Sequence, residues 1–81
     1  MIVAAAIEQD GKVYTLPQPA RHHNLIALII TETGKMVDGV QGFVDDQGNF
    51  MNRVDAAQHV IGCGQLKRVP RPPNLYTEDL W

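Results

Sequence analysis

The chain opens with an unbroken apolar run and then alternates between apolar and polar positions. Residues 2–7 are apolar throughout, which is typical of a buried strand or a short helix. Asp10-Gly11 follows, and this dipeptide favours the tight turn of a β-hairpin. Residues 13–16 then alternate and include β-branched and aromatic side chains, as strands do. The pattern therefore predicts two paired strands at the start of the chain.

Apolar side chains next recur at helical spacing over residues 20–33. Pro19 suits the first turn of a helix, where its missing N–H costs nothing, and Gly34 is typical of the position after a helix ends. Leu25 and Leu28 fall toward the outer face of this helix, so they are candidates for a contact with another polypeptide. A helical wheel places the expected core stripe on the other face, with His22, Ile26, Ile29, Ile30 and Thr33.

A second block of strand and helix patterns follows. Asn52 can cap a helix, because its side chain can accept a bond from a free backbone N–H. The predicted elements are two short strands, this capped helix and a last strand, at residues 42–44, 50–51, 53–63 and 65–69. The helix is expected to turn one apolar face inward, with Val54, Ala57, Val60 and Ile61. The order β-β-α-β-(β)-α-β predicts an α+β fold, with a small mixed sheet of β-hairpins and two helices packed on it.

The distribution of prolines divides the chain into a domain and a tail. Its 81 residues leave room for one domain, which we place at residues 1–69. Three prolines between positions 70 and 73 predict an extended, Pro-rich tail over residues 70–81. Large apolar side chains at a free end usually pack on something. Tyr76, Leu80 and Trp81 are therefore expected to dock on the domain itself or on a partner.

Charge and cysteine content narrow the setting. The net charge of −2 argues against nucleic acid as a partner. No apolar run approaches the roughly 20 residues of a membrane span, and the single cysteine excludes an internal disulfide. We therefore expect a cytoplasmic protein with no membrane partner, no metal and no cofactor. A domain this small also favours self-association, so a homo-oligomer is one expectation.

Cationic residues stand at both predicted helix starts. Arg21, His22 and His23 open the first helix, and Asn52 and Arg53 open the second. Unsatisfied N–H groups and the helix dipole attract anions at such starts. If the two starts converge, we expect these five residues to bind an anionic ligand. His22 also belongs to the core stripe, so a structural role is the alternative for that residue.

Catalytic chemistry has less support in the pattern. The chain contains no phosphate-binding loop, no zinc motif and no serine at all. If the protein is an enzyme, His22 or His23 would have to act as the general acid or base on a phosphoester. We assign no catalytic residue and keep hydrolysis as an alternative.

Several short motifs occur together and in a fixed order. They are Pro19-Ala20-Arg21-His22-His23, Gly42-Phe43, Asn52-Arg53, Gly64-Gln65 and Glu78-Asp79-Leu80-Trp81. In these motifs the chain resembles a family of small uncharacterised proteins encoded by tailed bacteriophages and prophages. The resemblance implies a phage setting, with the host cytoplasm as the location, and implies no particular activity.

Three functions fit these observations. The first is a phage accessory protein that binds an anionic small molecule, such as a nucleotide-derived defence signal, at the two helix starts. The second is a protein–protein interaction module acting on a host or phage protein. Its contact surface would be formed by Leu25, Leu28, Tyr76, Leu80 and Trp81. The third is a His-dependent phosphoester hydrolase.

Overall fold

Four strands form one antiparallel sheet. The computed structural model describes all 81 residues. The strands are β1 (Ile2–Gln9), β2 (Lys12–Pro17), β3 (Val40–Asp45) and β4 (Phe50–Asn52). They lie in the order β2-β1-β3-β4. The α+β class is confirmed, whereas every strand pair is antiparallel, so the sheet is not mixed.

The predicted first hairpin is confirmed. β1 and β2 pair down to Gln9 opposite Lys12, and Asp10 and Gly11 form the turn between them. Both turn residues have positive φ angles, of 53° and 77°. Such angles match the right-handed twist of the strands, which is why Asp-Gly favours this turn.

Two helices follow the hairpins. α1 (His22–Thr33) begins two residues later than predicted, because Arg21 is still extended, with φ −116° and ψ 172°. α2 (Arg53–Gly62) begins where predicted, and the side chain of Asn52 accepts the backbone N–H of Asp55 at 2.8 Å. Neither helix is long and apolar enough to cross a membrane.

Both helices pack on one face of the sheet. Strand register places Ala5, Ile7 and Phe43 on this face, because directly paired residues point the same way. α1 covers the half of the face that β1 and β2 form, through Leu25 and Ile29. α2 covers the half near β3, where the buried side chains are Ile2, Phe43, Ala56, Ala57, Val60 and Leu75.

The predicted orientation of α1 is wrong. Leu25, expected on the outer face, is fully buried against Ala5, and Leu28 is half-buried beside the same cluster. Ile30, expected in the core, is 38% exposed. Because the pattern fits two adjacent stripes, helical spacing alone could not choose between them.

The predicted last strand at residues 65–69 does not form. Instead, the side chain of Gln65 pairs with the backbone of Ile2: its Oε1 accepts the Ile2 N–H at 2.7 Å, and its Nε2 donates to the Ile2 carbonyl at 3.0 Å. One amide side chain thus satisfies both backbone groups that a neighbouring strand would have satisfied.

The C-terminal tail packs on its own domain, which was one of the two predicted placements. Leu75 is buried in the core beside α2, and Leu80 and Trp81 pack against the same cluster. The Trp81 indole donates to the Ala20 carbonyl at 3.0 Å. A single 3₁₀ turn, Thr77–Asp79, lets the tail cross from one helix start to the other.

Candidate functional site

The starts of α1 and α2 converge, and the tail lies between them. Arg21, which precedes α1, donates from Nη1 to Oε1 of Glu78 at 3.1 Å. Arg53, the first residue of α2, donates from Nη1 to the carbonyl of Leu75 at 2.9 Å. The two helix starts therefore grip the same short stretch of tail. The convergence that an anion site requires is present, but the chain itself fills the space.

Arg53 is held by three groups at once. Besides Leu75, its Nη2 donates to Oε1 of Gln41 at 2.8 Å. Its guanidinium also lies 4.7 Å from the centre of the Tyr76 ring, a cation–π distance. Burial lowers the pKa of Arg53 below its ordinary value, while the nearby tail carboxylate of Glu78 acts in the opposite direction. The side chain works as a clamp on the tail.

Two tail carboxylates balance the arginines. Nη2 of Arg71 lies 2.7 Å from Oδ1 of Asp79 and 3.9 Å from Oε2 of Glu78. The Arg71 guanidinium is also 4.7 Å from the Tyr76 ring. Hydrogen bonds, chiefly from the Thr77 hydroxyl, lower the pKa of Glu78, which keeps it ionised. Three arginines thus surround the tail, and its own acids neutralise them.

His22 is a structural residue. It is buried, with Nε2 2.7 Å from the Gly42 carbonyl and its ring edge-on to Phe43 at 5.1 Å between centroids. Burial lowers the pKa of His22, so the ring is neutral at pH 7 and donates its Nε2 proton to the carbonyl. Gly42 must be glycine, because a Cβ there would collide with the Met51 carbonyl.

The remaining predicted site residues do not form an acid–base pair. His23 is exposed on α1, and its side chain makes no hydrogen bond or ion pair. Asn52 is occupied in capping α2. No group of three or more His, Cys, Asp or Glu side chains is placed to hold a metal ion. Arg21 alone combines a helix start with partial exposure to solvent.

The tail residues assigned to an interaction surface contribute to the fold instead. Tyr76, Leu80 and Trp81 are half-buried against the domain. Together with the buried Leu25 and the half-buried Leu28, they offer little free apolar surface.

One groove does offer free apolar surface. It has a volume of about 430 Å³ and lies between α2 and the tail, and it is lined by Val54, Ala57, Gln58, Ile61, Gly62, Val69, Pro72 and Pro73. We call it the α2 groove. Val54 is 38% exposed and Ile61 is 43% exposed, although both were expected in the core. The apolar arc of α2 was the available signal, since it is wider than one sheet face can cover.

The family profile described as Phage T4 y16D protein matches residues 1–81 of the chain. The chain belongs to this phage protein family. The resemblance to small phage proteins is thereby confirmed over the whole sequence, and the family description names no ligand or activity. Searches of curated proteins and of solved structures found no match.

Proposed function

We propose that this phage protein is a non-enzymatic accessory protein that binds a host or phage protein through the α2 groove. The exposure of Val54 and Ile61 in a concave, uncharged wall carries the proposal. Exposed apolar surface that is also concave is typical of a site that receives side chains from a partner. The helix starts are less suited to capture, because their donors already bind the tail.

The chemistry of the groove defines its partner. Its walls are aliphatic side chains and two prolines, and Gln58 is its most polar lining residue. A partner would insert apolar side chains and leave its polar groups at the rim. Burying what remains exposed of Val54 and Ile61 would contribute about 1 kcal/mol each, since full burial of such side chains is worth roughly 1.5–3 kcal/mol. This gain favours binding without requiring any charged contact.

The test compares two matched variants in infected host cells. Ile61→Glu places a charge in the groove, and Ile30→Glu places one at a similarly exposed position on α1, since the two isoleucines are 43% and 38% exposed. Tagged wild type, I61E and I30E would be purified from infected cells and their bound proteins quantified. We expect the same partner with wild type and I30E, and at least a tenfold loss with I61E. Equal recovery with I61E would refute the groove as the binding site.

Binding of an anionic small molecule is a second candidate, supported by one observation. The Arg21–Glu78 ion pair is partly exposed on both sides, and such pairs contribute only about 0–1 kcal/mol. A phosphate group could therefore replace the Glu78 carboxylate on Arg21 without unfolding the tail. A nucleotide-derived defence signal would be a ligand of this type.

The same ion pair supplies the test for this candidate. Glu78→Gln removes the internal competitor, so titration calorimetry with ATP and cyclic nucleotides should show tighter binding than in the wild type. Arg21→Ala should abolish that binding. If neither the wild type nor E78Q binds any of these nucleotides, this second function is excluded. We do not propose phosphoester hydrolysis, because His22 is committed to the Gly42 carbonyl and His23 has no acidic neighbour bonded to it.

A further inference from the structure

The sheet has a second face that neither helix covers. Because α1 and α2 pack beside Ala5 and Phe43, the residues that alternate with these point the other way. We call this surface the outer sheet face. Strand by strand it consists of Val13, Thr15 and Pro17, then Ala4, Ala6 and Glu8, then Val40, Gly42 and Val44, then Phe50 and Asn52. Glu8 is its only charged residue.

This composition does not suit a face that stays in water. Antiparallel sheets with one solvated face usually carry polar residues on that side. Here most outward positions hold alanine, valine or other uncharged residues. Val13 is 39% exposed and Val40 is 47% exposed, on either side of Glu8. A contiguous apolar surface of this kind marks an interface in a protein of this size.

We infer that the outer sheet face packs against the same face of a second copy of the chain. A surface with almost no charge cannot select an unlike partner by charge complementarity, and it matches another flat, uncharged surface. Small residues at its centre, Ala4, Ala6 and Gly42, allow two sheets to approach to about 10 Å, the usual spacing of stacked sheets. Glu8 lies in the end row of the face and would stay at the hydrated rim.

The size of the face sets the strength of the contact. Four strands spaced about 4.8 Å apart, each presenting about six residues at 3.3 Å per residue, give a face of roughly 20 by 20 Å. Two such faces would bury on the order of 1,000 Å² in total, the lower limit for a specific interface. We therefore expect a reversible dimer with a dissociation constant in the micromolar range. The helices, and with them both α2 grooves, would face outward, so the dimer does not depend on the proposed function.

Sedimentation velocity over a concentration series tests this inference. Val13→Lys places a charge in the outer sheet face on an edge strand, and Ile30→Lys is the matched control on α1, because the two residues are 39% and 38% exposed. We expect wild type and I30K to show the same monomer–dimer equilibrium. V13K should dissociate at least about 100-fold more readily, because each interface would then hold two buried lysines.

Two results would overturn the inference. One is a wild type that remains monomeric up to submillimolar concentration, and the other is a folded V13K that dimerises as the wild type does. Circular dichroism of V13K checks its fold. Should V13K fail to fold, Val40→Lys decides in its place, because Val40 lies on the same face with 47% exposure. Loss of dimer in V13K with intact partner capture would separate this inference from the groove proposal.

Discussion

Replacing Arg53 by methionine should strongly destabilise the protein. The change removes the hydrogen bonds to Leu75 and Gln41 and the cation–π contact with Tyr76. A hydrogen bond from a charged donor contributes roughly 1.5–3 kcal/mol, and an exposed cation–π contact about 0.5–1 kcal/mol. Methionine keeps the packing of the aliphatic stem and removes the cost of burying a charge, which offsets part of the loss. We expect a net loss of about 3 kcal/mol in the free energy of unfolding.

Urea and thermal unfolding measure this loss directly. Trp81 is the single tryptophan and packs in the tail, so its fluorescence reports whether the tail is docked. For a domain of this size 1 kcal/mol shifts the melting temperature by roughly 4–8 °C, so R53M should melt about 12–24 °C lower. Arg53→Lys should lose about half as much free energy, since an ammonium cannot donate to both acceptors in the fork geometry of arginine.

Arg68→Met provides the matched control. Arg68 is exposed and makes no hydrogen bond or ion pair, so losing its charge should change the free energy of unfolding by less than about 0.5 kcal/mol. If R53M and R68M were equally stable, Arg53 would not be the clamp that holds the tail, and the reasoning would fail.

Three further outcomes follow from other contacts. Gly42→Ala should destabilise the sheet by more than 2 kcal/mol, because its Cβ would strike the backbone of the neighbouring strand, whereas Gly62→Ala has open space and should stabilise α2 by about 0.5–1 kcal/mol in urea unfolding. Gln65→Ala leaves both backbone groups of Ile2 without partners and should cost about 2 kcal/mol, measurable as a lower urea midpoint. Burial lowers the pKa of His22 in the folded state below the unfolded value of about 6.5, so acidification favours the unfolded state. Stability should therefore be full above that pH and fall between pH 7 and 5 in the wild type, more steeply than in His22→Gln; equal slopes would contradict the assignment.

Local sequence signals predicted the elements that local interactions build. The Asp10-Gly11 turn and the Asn52 cap each need only residues within three positions, and both formed as predicted. The orientation of α1 depends on the sheet beneath it, and the Leu25 and Ile30 stripes have similar spacing. Only tertiary packing, which buries Leu25, distinguishes them.

Contacts distant in sequence could not be read from spacing. Gln65 pairs with Ile2 across 63 positions, and an amide side chain that replaces a strand leaves no periodic pattern. The candidate site depends on similar contacts. Cationic helix starts were visible in the sequence, but their convergence, and the placement of Glu78 beside Arg21 across 57 positions, arise from the folded tail.

Site-specific photo-crosslinking in infected cells tests most directly where this protein meets its partner. A benzophenone amino acid would replace Ile61 in the α2 groove or His23 at the start of α1, both of which are exposed to solvent. We expect a discrete crosslinked partner from position 61 and none from position 23. A partner captured from position 23 alone would show that the helix starts form the binding surface and would contradict the account.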